Sequence, residues 1–217
     1  TLFRSLNNSG WFNKIKSYSN SKGRGFILGI CGGFQILGEY VNDPEGLEGE
    51  PGKTEGLNLL PVRTTLKAPK TTTLSKFLWN DDDENSMLIC SDDNSNIKST
   101  NCNILSSFDK SRAKKFGEGY EIHMGNTERL GGTAMFKVFS RNGVGCFDED
   151  GAVSRETRVW GTYMHGMFDT AYIKDWWLKM IGVSTSSSVD YSGKKRDNYR
   201  LLKEHFEKYV DISELIK

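Results

Sequence analysis

The chain has 217 residues, 36% hydrophobic and 26% charged, the composition of an ordinary globular domain. A formal net charge of +1 offers nothing to nucleic acid or to an anionic membrane, and no apolar stretch is long enough to span a bilayer. The four cysteines, Cys31, Cys90, Cys102 and Cys146, are scattered without a C-x-x-C pair, which argues against a zinc knuckle or a disulfide framework and for a reducing, cytoplasmic setting.

Thr1 to Asn20 carries Leu2, Phe3, Leu6, Trp11, Phe12 and Ile15 at irregular helical spacing with a break at Ser9-Gly10, predicting one or two short helices. A doubly wound sheet normally places a strand ahead of such a helix, so the chain is expected to begin part-way through a domain. Phe26 to Gly38 then reads as an apolar strand, a turn crowded with glycine and the start of a helix. Gly29, Gly32 and Gly33 flank Cys31 where the chain reverses. Three readings of this turn are open. It is a nucleophile elbow with sulfur in place of the serine oxygen, a βα turn with a small core cysteine, or a phosphate cradle, although the Rossmann and Walker spacings are absent. In the first reading a helix N-terminus favours the Cys31 thiolate, and the Gly32 N–H faces an oxyanion.

Phe34 to Val41 is predicted to continue as a short helix that stops near Asn42-Asp43-Pro44. Residues 43–56 read as loop, Leu57 to Leu66 as a strand with Pro61 at an edge or bulge, and Thr71 to Leu74 as the start of another strand. A polar, acidic segment over about 80–115 reads as a solvated insertion; its carboxylates lack EF-hand spacing, and no metal site is expected. Within it, Asn103 to Phe108 reads as a short strand and Lys110 to Lys115 as a basic turn.

Gly117 to Gly125 alternates Tyr120, Ile122 and Met124 with Glu121 and His123, a period-two strand. Its polar face is a site face or the solvent face, and pattern alone favours solvent. Phe136 to Phe139 and Val144 to Phe147 read as a hairpin around Asn142-Gly143. Val159 to Phe168 is a second apolar strand, ending at His165-Gly166. In open α/β sheets ligands bind beyond the carboxyl ends of the strands, so Cys31 and His165 share one rim if their strands are parallel neighbours. From Ala171 the chain reads as helical, with Ser184 to Ser188 as a linker. A final helix is predicted over Tyr199 to Leu215, with Leu201, Leu202, Phe206 and Val210 facing inward.

Taken in order, GICGGFQILG, DPEGLEG, GLNLLPV, GYEIHMGNT, DGAVS and VWGTYMHGMFD resemble the glutamine amidotransferase domain of the cobyric acid synthase family, from about Gly25 to about Asp169. GYEIHMG and GTYMHGMFD carry the specificity within the wider class I amidotransferases. The resemblance implies an α/β fold, a mostly parallel, doubly wound, flavodoxin-like sheet with flanking helices, its first strand or strands missing. It implies one amidotransferase domain over 1–217, partial at its N-terminus, with a helical tail from about 171 to 217. An N-terminal ATP-dependent synthetase domain is expected to lie outside these residues.

By the same resemblance Cys31 attacks the side-chain amide of L-glutamine and His165 is its general base and acid. Gly32 serves the oxyanion, and Gln35, Tyr120 and His123 line the glutamine pocket. No cofactor is expected in this chain; ATP and Mg2+ belong to the synthetase domain, which amidates a corrinoid, adenosylcobyrinic a,c-diamide, at positions b, d, e and g. Met167 stands where class I relatives carry an acid two residues after the histidine, which implies a Cys–His pair whose imidazole is oriented by something else. Asp169 and Glu121 are the candidates. A Leu-Pro-Gly-Ser-Lys-type loop carrying a second oxyanion N–H is expected just before Thr1. Two rival readings are a related subunit that amidates lipid II and a catalytically silent docking module; the presence of both Cys31 and His165 argues against the second.

Overall fold

The computed structural model describes residues 6, 8–21, 25–80, 116–183 and 191–209. The predicted strand Asn103 to Phe108, the rest of the insertion after Asn80, the Ser184 to Ser188 linker and Val210 lie outside the described residues. Helix α1 (Trp11–Asn20) leads into β1 (Ile27–Ile30), and α2 (Gly32–Leu37) follows directly after Cys31. β1 pairs in parallel with β11 (Val159–Thr162), from Ile27 opposite Val159 to Ile30 opposite Thr162, and β10 (Ala152–Ser154) joins β11 antiparallel.

This small sheet is covered on both faces, as the apolar run in β1 requires. On one side Phe34, Ile36 and Leu37 of α2 pack with Val159, Leu57 and Leu60. On the other, Leu28, Ile30 and Trp160 meet Trp176 and Trp177 of α3 (Ala171–Met180). Gly161 sits under α2 so closely that a Cβ there would lie 2.2 Å from the Phe34 ring. Gly161→Ala is therefore expected to destabilise the fold by about 1–3 kcal/mol through overpacking, read as a lowered midpoint in urea unfolding.

The remaining strands form two further sheets. One has the order β12-β6-β5-β8-β9, built from β5 (Thr71–Trp79), β6 (Phe116–His123), β8 (Phe136–Arg141), β9 (Val144–Asp150) and β12 (Met164–His165). The other has the order β3-β2-β4-β7, built from β2 (Tyr40–Asp43), β3 (Gly52–Glu55), β4 (Val62–Thr65) and β7 (Asn126–Arg129). The class is α/β, but among the described strands only β1/β11 and β2/β4 pair in parallel, in place of the mostly parallel, doubly wound sheet expected. The reason is local. Tight hairpins impose antiparallel pairing, and the predicted Asn142-Gly143 turn is one of them, with φ of 49° and 78° at its centre.

Other boundaries shift as well. The helix after Cys31 stops at Leu37, and Tyr40–Asp43 is a strand, so the predicted loop over 43–56 closes as a β2–β3 hairpin. Of Leu57 to Leu66 only Val62–Thr65 is strand, because Leu57 and Leu60 turn into the core beneath α2. The last described helix, α4 (Tyr191–Tyr209), begins earlier than predicted, and Leu201, Leu202 and Phe206 are exposed instead of inward-facing. No helix among the described residues is long and apolar enough to cross a membrane.

Candidate active site

The turn after β1 puts Cys31 at φ 56° and ψ −116°, between a strand and a helix. An L-residue held at such angles costs about 1–3 kcal/mol, so the surroundings must impose the conformation. Two backbone bonds do so: Cys31 N–H donates to Thr162 O at 2.9 Å, and Gln35 N–H donates to Cys31 O at 3.1 Å. Gly29 lets the elbow close, since a Cβ there would stand 2.6 Å from the backbone of Gly33. This geometry is that of a nucleophile elbow. The thiol donates to Ile122 O of β6 at 3.2 Å.

His165 reaches the same strand by a different route. The chain leaves β11 at Thr162, passes through Tyr163, and as β12 joins the edge of the five-stranded sheet, His165 opposite Tyr120. The imidazole stacks on the Tyr120 ring with centroids 5.0 Å apart and planes 6° from parallel. Cys31 and His165 thus lie against β6 at Ile122 and Tyr120, two residues apart along one strand. Burial, then the nearby His123, pushes the His165 pKa below its ordinary value, so the ring is neutral at neutral pH. Its Nε2 is enclosed and has no hydrogen-bond partner among the described residues. A neutral imidazole with a free nitrogen and a strained thiol, both meeting β6, are groups with the chemistry of a base and a nucleophile.

β6 inverts the face expected from its pattern. Gly117, Gly119 and Glu121 are buried, while Phe116, Glu118 and Tyr120 are exposed. The two glycines explain the inversion, because their face lies against neighbouring strands of the same chain: a Cβ on Gly119 would stand 2.5 Å from His165 O, and one on Gly117 2.5 Å from the Phe77 ring. Glu121 is turned inward by its partners. It accepts from Ser75 Oγ at 2.6 Å and Arg141 Nε at 2.9 Å, and His123 Nε2 stands 3.7 Å away. Burial alone would raise its pKa, but the hydrogen bonds from His123, Arg141 and Ser75 outweigh it and hold the carboxyl at about 2.

That depressed value makes the Glu121 contribution present above the ordinary pKa of 4.5 and lost as the pH falls through about 2. Glu121→Gln is therefore expected to cost about 3 kcal/mol at pH 7, with the gap to the parent narrowing below pH 4.5. Denaturant unfolding at pH 7 and at pH 3 checks it.

His123 stacks on Tyr163 at 3.9 Å between centroids. The Tyr163 hydroxyl accepts from Gln35 Nε2 at 3.1 Å and is hydrogen-bonded to Thr127 Oγ1 at 2.5 Å. Gln35 is thus buried and committed through its amide nitrogen to Tyr163. Gly32 is the first residue of α2, where helical N–H groups have no acceptor within the helix. Neither candidate for orienting His165 bonds to it: Asp169 is engaged by Lys195 at 3.4 Å and Glu121 by the three partners named above. The Tyr120 stack and the β12–β6 pairing hold the ring. Met167 is buried in the core.

Sequence reasoning passed over Ser75, Arg141, Asp150 and Tyr163. Glu121, one of the two candidates for orienting His165, is instead held by Ser75, Arg141 and His123.

Comparison with known proteins shows the family. Residues 3–172 match the CobB/CobQ-like glutamine amidotransferase domain family. The chain is 34% identical over 211 residues to a cobyric acid synthase of Chlorobium phaeobacteroides strain DSM 266, covering 97% of this chain and 35% of that protein. It is 33% identical to the cobyric acid synthase of Chlorobaculum tepidum, over 97% of this chain and 35% of that protein. With the cobyric acid synthase of Clostridium novyi strain NT the identity is 35%, over 86% of this chain and 31% of that protein. The chain thus spans about a third of the length of these relatives. The chain belongs to the CobB/CobQ-like glutamine amidotransferase domain family.

Proposed function

We propose that this chain hydrolyses L-glutamine and hands the ammonia to an ATP-dependent synthetase domain. That domain amidates adenosylcobyrinic a,c-diamide at positions b, d, e and g in cobalamin biosynthesis. The observation that carries the reading is the elbow, with Cys31 at φ 56° against β6, the strand with which the His165 strand β12 pairs. The relatives named cobyric acid synthase support the pathway. In this reading ATP and Mg2+ act on the synthetase domain, outside these 217 residues.

The steps follow from the residues. His165 takes the proton of the Cys31 thiol as the sulfur attacks the side-chain amide carbon of glutamine. The tetrahedral oxyanion is met by backbone N–H groups, that of Gly32 among them. The C–N bond breaks as His165 returns the proton to the leaving nitrogen, which departs as ammonia and leaves a glutamyl thioester on Cys31. Water, deprotonated by His165, then attacks the thioester, and glutamate leaves as the thiol is restored. Tyr120 and His123 line the glutamine pocket, and Gln35 shapes it through Tyr163. The test joins the chain to a synthetase portion and supplies glutamine, ATP and the corrinoid. Amidation of the corrinoid is expected; amidation of lipid II in its place, or no glutamine hydrolysis at all, would overturn the reading.

A further inference from the structure

One buried carboxylate has no part in those steps. Asp150 ends β9 and is buried, with no ion-pair partner among the described residues. Its two oxygens are both used: one accepts from Thr162 Oγ1 and the other from Tyr163 N–H at 3.2 Å. Thr162 is bonded on two further sides, its Oγ1 accepting from Met164 N–H at 2.9 Å and its backbone oxygen from Cys31 N–H at 2.9 Å. Residues 162–164 are where the chain leaves the three-stranded sheet of β1, β11 and β10 and joins the sheet that carries His165. One carboxylate therefore ties the switch that fixes the elbow on one side and the His165 strand on the other.

The place of Asp150 is set independently of its side chain. Its backbone oxygen accepts from Met135 N–H at 3.0 Å, and the next residue, Gly151 at φ 79°, lies against β11 so closely that a Cβ would stand 2.2 Å from Gly161 O. Two donors converge on the carboxylate from adjacent residues, and an asparagine side chain has one acceptor oxygen where aspartate has two. Burying a carboxylate without a cation is costly, and a residue needed only for packing would not require it.

We infer that Asp150 is a positioning residue that, through Thr162, holds the Cys31 elbow and the His165 strand in their reactive relation. The inference rests on the glutaminase reading above for its kinetic consequence, and on backbone geometry for its structural one.

The test compares Asp150→Asn, Thr162→Val and Thr162→Ser in the full chain, measuring L-glutamine hydrolysis together with amide hydrogen exchange by NMR. Asp150→Asn and Thr162→Val are expected to lower kcat by about 10- to 100-fold while KM for glutamine moves by less than about twofold. Thr162→Ser, which keeps the hydroxyl, is expected to retain the parent rate. The double variant Asp150→Asn/Thr162→Val should be no slower than the slower single one, because both remove one linkage. The amides of Cys31 and Met164 should exchange at least about tenfold faster in both single variants, with the remaining β1 amides unchanged. Parent kcat in both variants, a Thr162→Ser loss equal to that of Thr162→Val, or uniform loosening of all β1 amides would overturn the inference. Should Asp150→Asn fail to fold, Thr162→Val against Thr162→Ser decides alone. A parent chain that hydrolyses no glutamine even when joined to a synthetase portion rejects the glutaminase reading, and the amide exchange then decides the positioning role by itself.

Discussion

Cys31→Ala is expected to abolish glutamine hydrolysis, lowering the rate by about 10^4-fold or more, with little change in stability. In the proposed reaction the sulfur is the group that bonds to substrate carbon. The methyl group of alanine fits where the Cβ of cysteine already sits, and the single hydrogen bond lost is that from the thiol to Ile122 O. Alanine keeps the strain at φ 56°. Cys31→Gly would relieve that strain and is expected to be as inactive and more stable, by about 1 kcal/mol. Joined to a synthetase portion, the Cys31→Ala protein is expected to amidate with free ammonia at the parent rate, since the synthetase site is separate. Loss of ammonia-dependent activity as well would make Cys31 a structural residue. Paired assays with glutamine and with ammonium salt decide between the two.

His165→Ala is expected to lower glutamine hydrolysis by about 10^2- to 10^4-fold, the range that a positioned base contributes. The sign of the pH effect follows from the surroundings of the ring. Burial and the proximity of His123 lower its pKa, so the neutral, proton-accepting form prevails through neutral pH and is lost on acidification. The parent profile should therefore fall on the acid side below the ordinary histidine value of 6.5, and His165→Ala should lack that limb. Stability should respond in the same sense, since a pKa lowered on folding makes protonation favour the unfolded chain. Tyr120→Ala removes the stacked ring and leaves the imidazole chemistry in place, so a partial loss of kcat is its counterpart. A parent profile identical to that of His165→Ala would remove His165 from the reaction.

The parts of this site that rest on local chemistry were readable from the residues. An apolar strand entering Gly29-Ile30-Cys31-Gly32-Gly33 specifies a tight strand-to-helix turn, and the structure forms it with Cys31 at positive φ. The parallel pairing of the Cys31 and His165 strands was posed as a condition; β1 does pair in parallel with β11, but the predicted strand Val159 to Phe168 breaks after Thr162, and His165 lies on β12, antiparallel to β6 in another sheet. Asn142-Gly143 names its own hairpin. What was not readable depends on partners far apart in sequence. The alternation at Tyr120 to Met124 assigns Glu121 to solvent until Ser75 and Arg141 are brought to it across the sheet. Leu57 and Leu60 resemble strand residues because core burial and strand burial leave the same apolar mark. The apolar positions of the last helix, Leu201, Leu202 and Phe206, have a helical period that shows which side is apolar but not whether anything covers it.

Asp150 shows the same limit at the site itself. In the sequence it is one acid in the run Asp148-Glu149-Asp150, and its neighbours Asp148 and Glu149 pair with Arg141 and Arg129 on the exposed side. Only the β9–β10 turn places Asp150 beneath Thr162 and Tyr163. Burial raises its pKa to about 6, against hydrogen bonds from Thr162 and Tyr163 that lower it. Folding thus binds a proton more readily at this group, and its contribution to stability diminishes as the pH rises from 3.8 through about 6.

The most direct measurement is the site and rate of labelling by an electrophilic glutamine analogue, mapped by mass spectrometry over all four cysteines. Cys31 is expected to react far faster than Cys146, Cys90 or Cys102, to be protected by L-glutamine, and to slow in His165→Ala. Labelling of Cys31 at the rate of the other cysteines, or labelling that glutamine does not slow, would contradict the assignment of Cys31 as a glutaminase nucleophile.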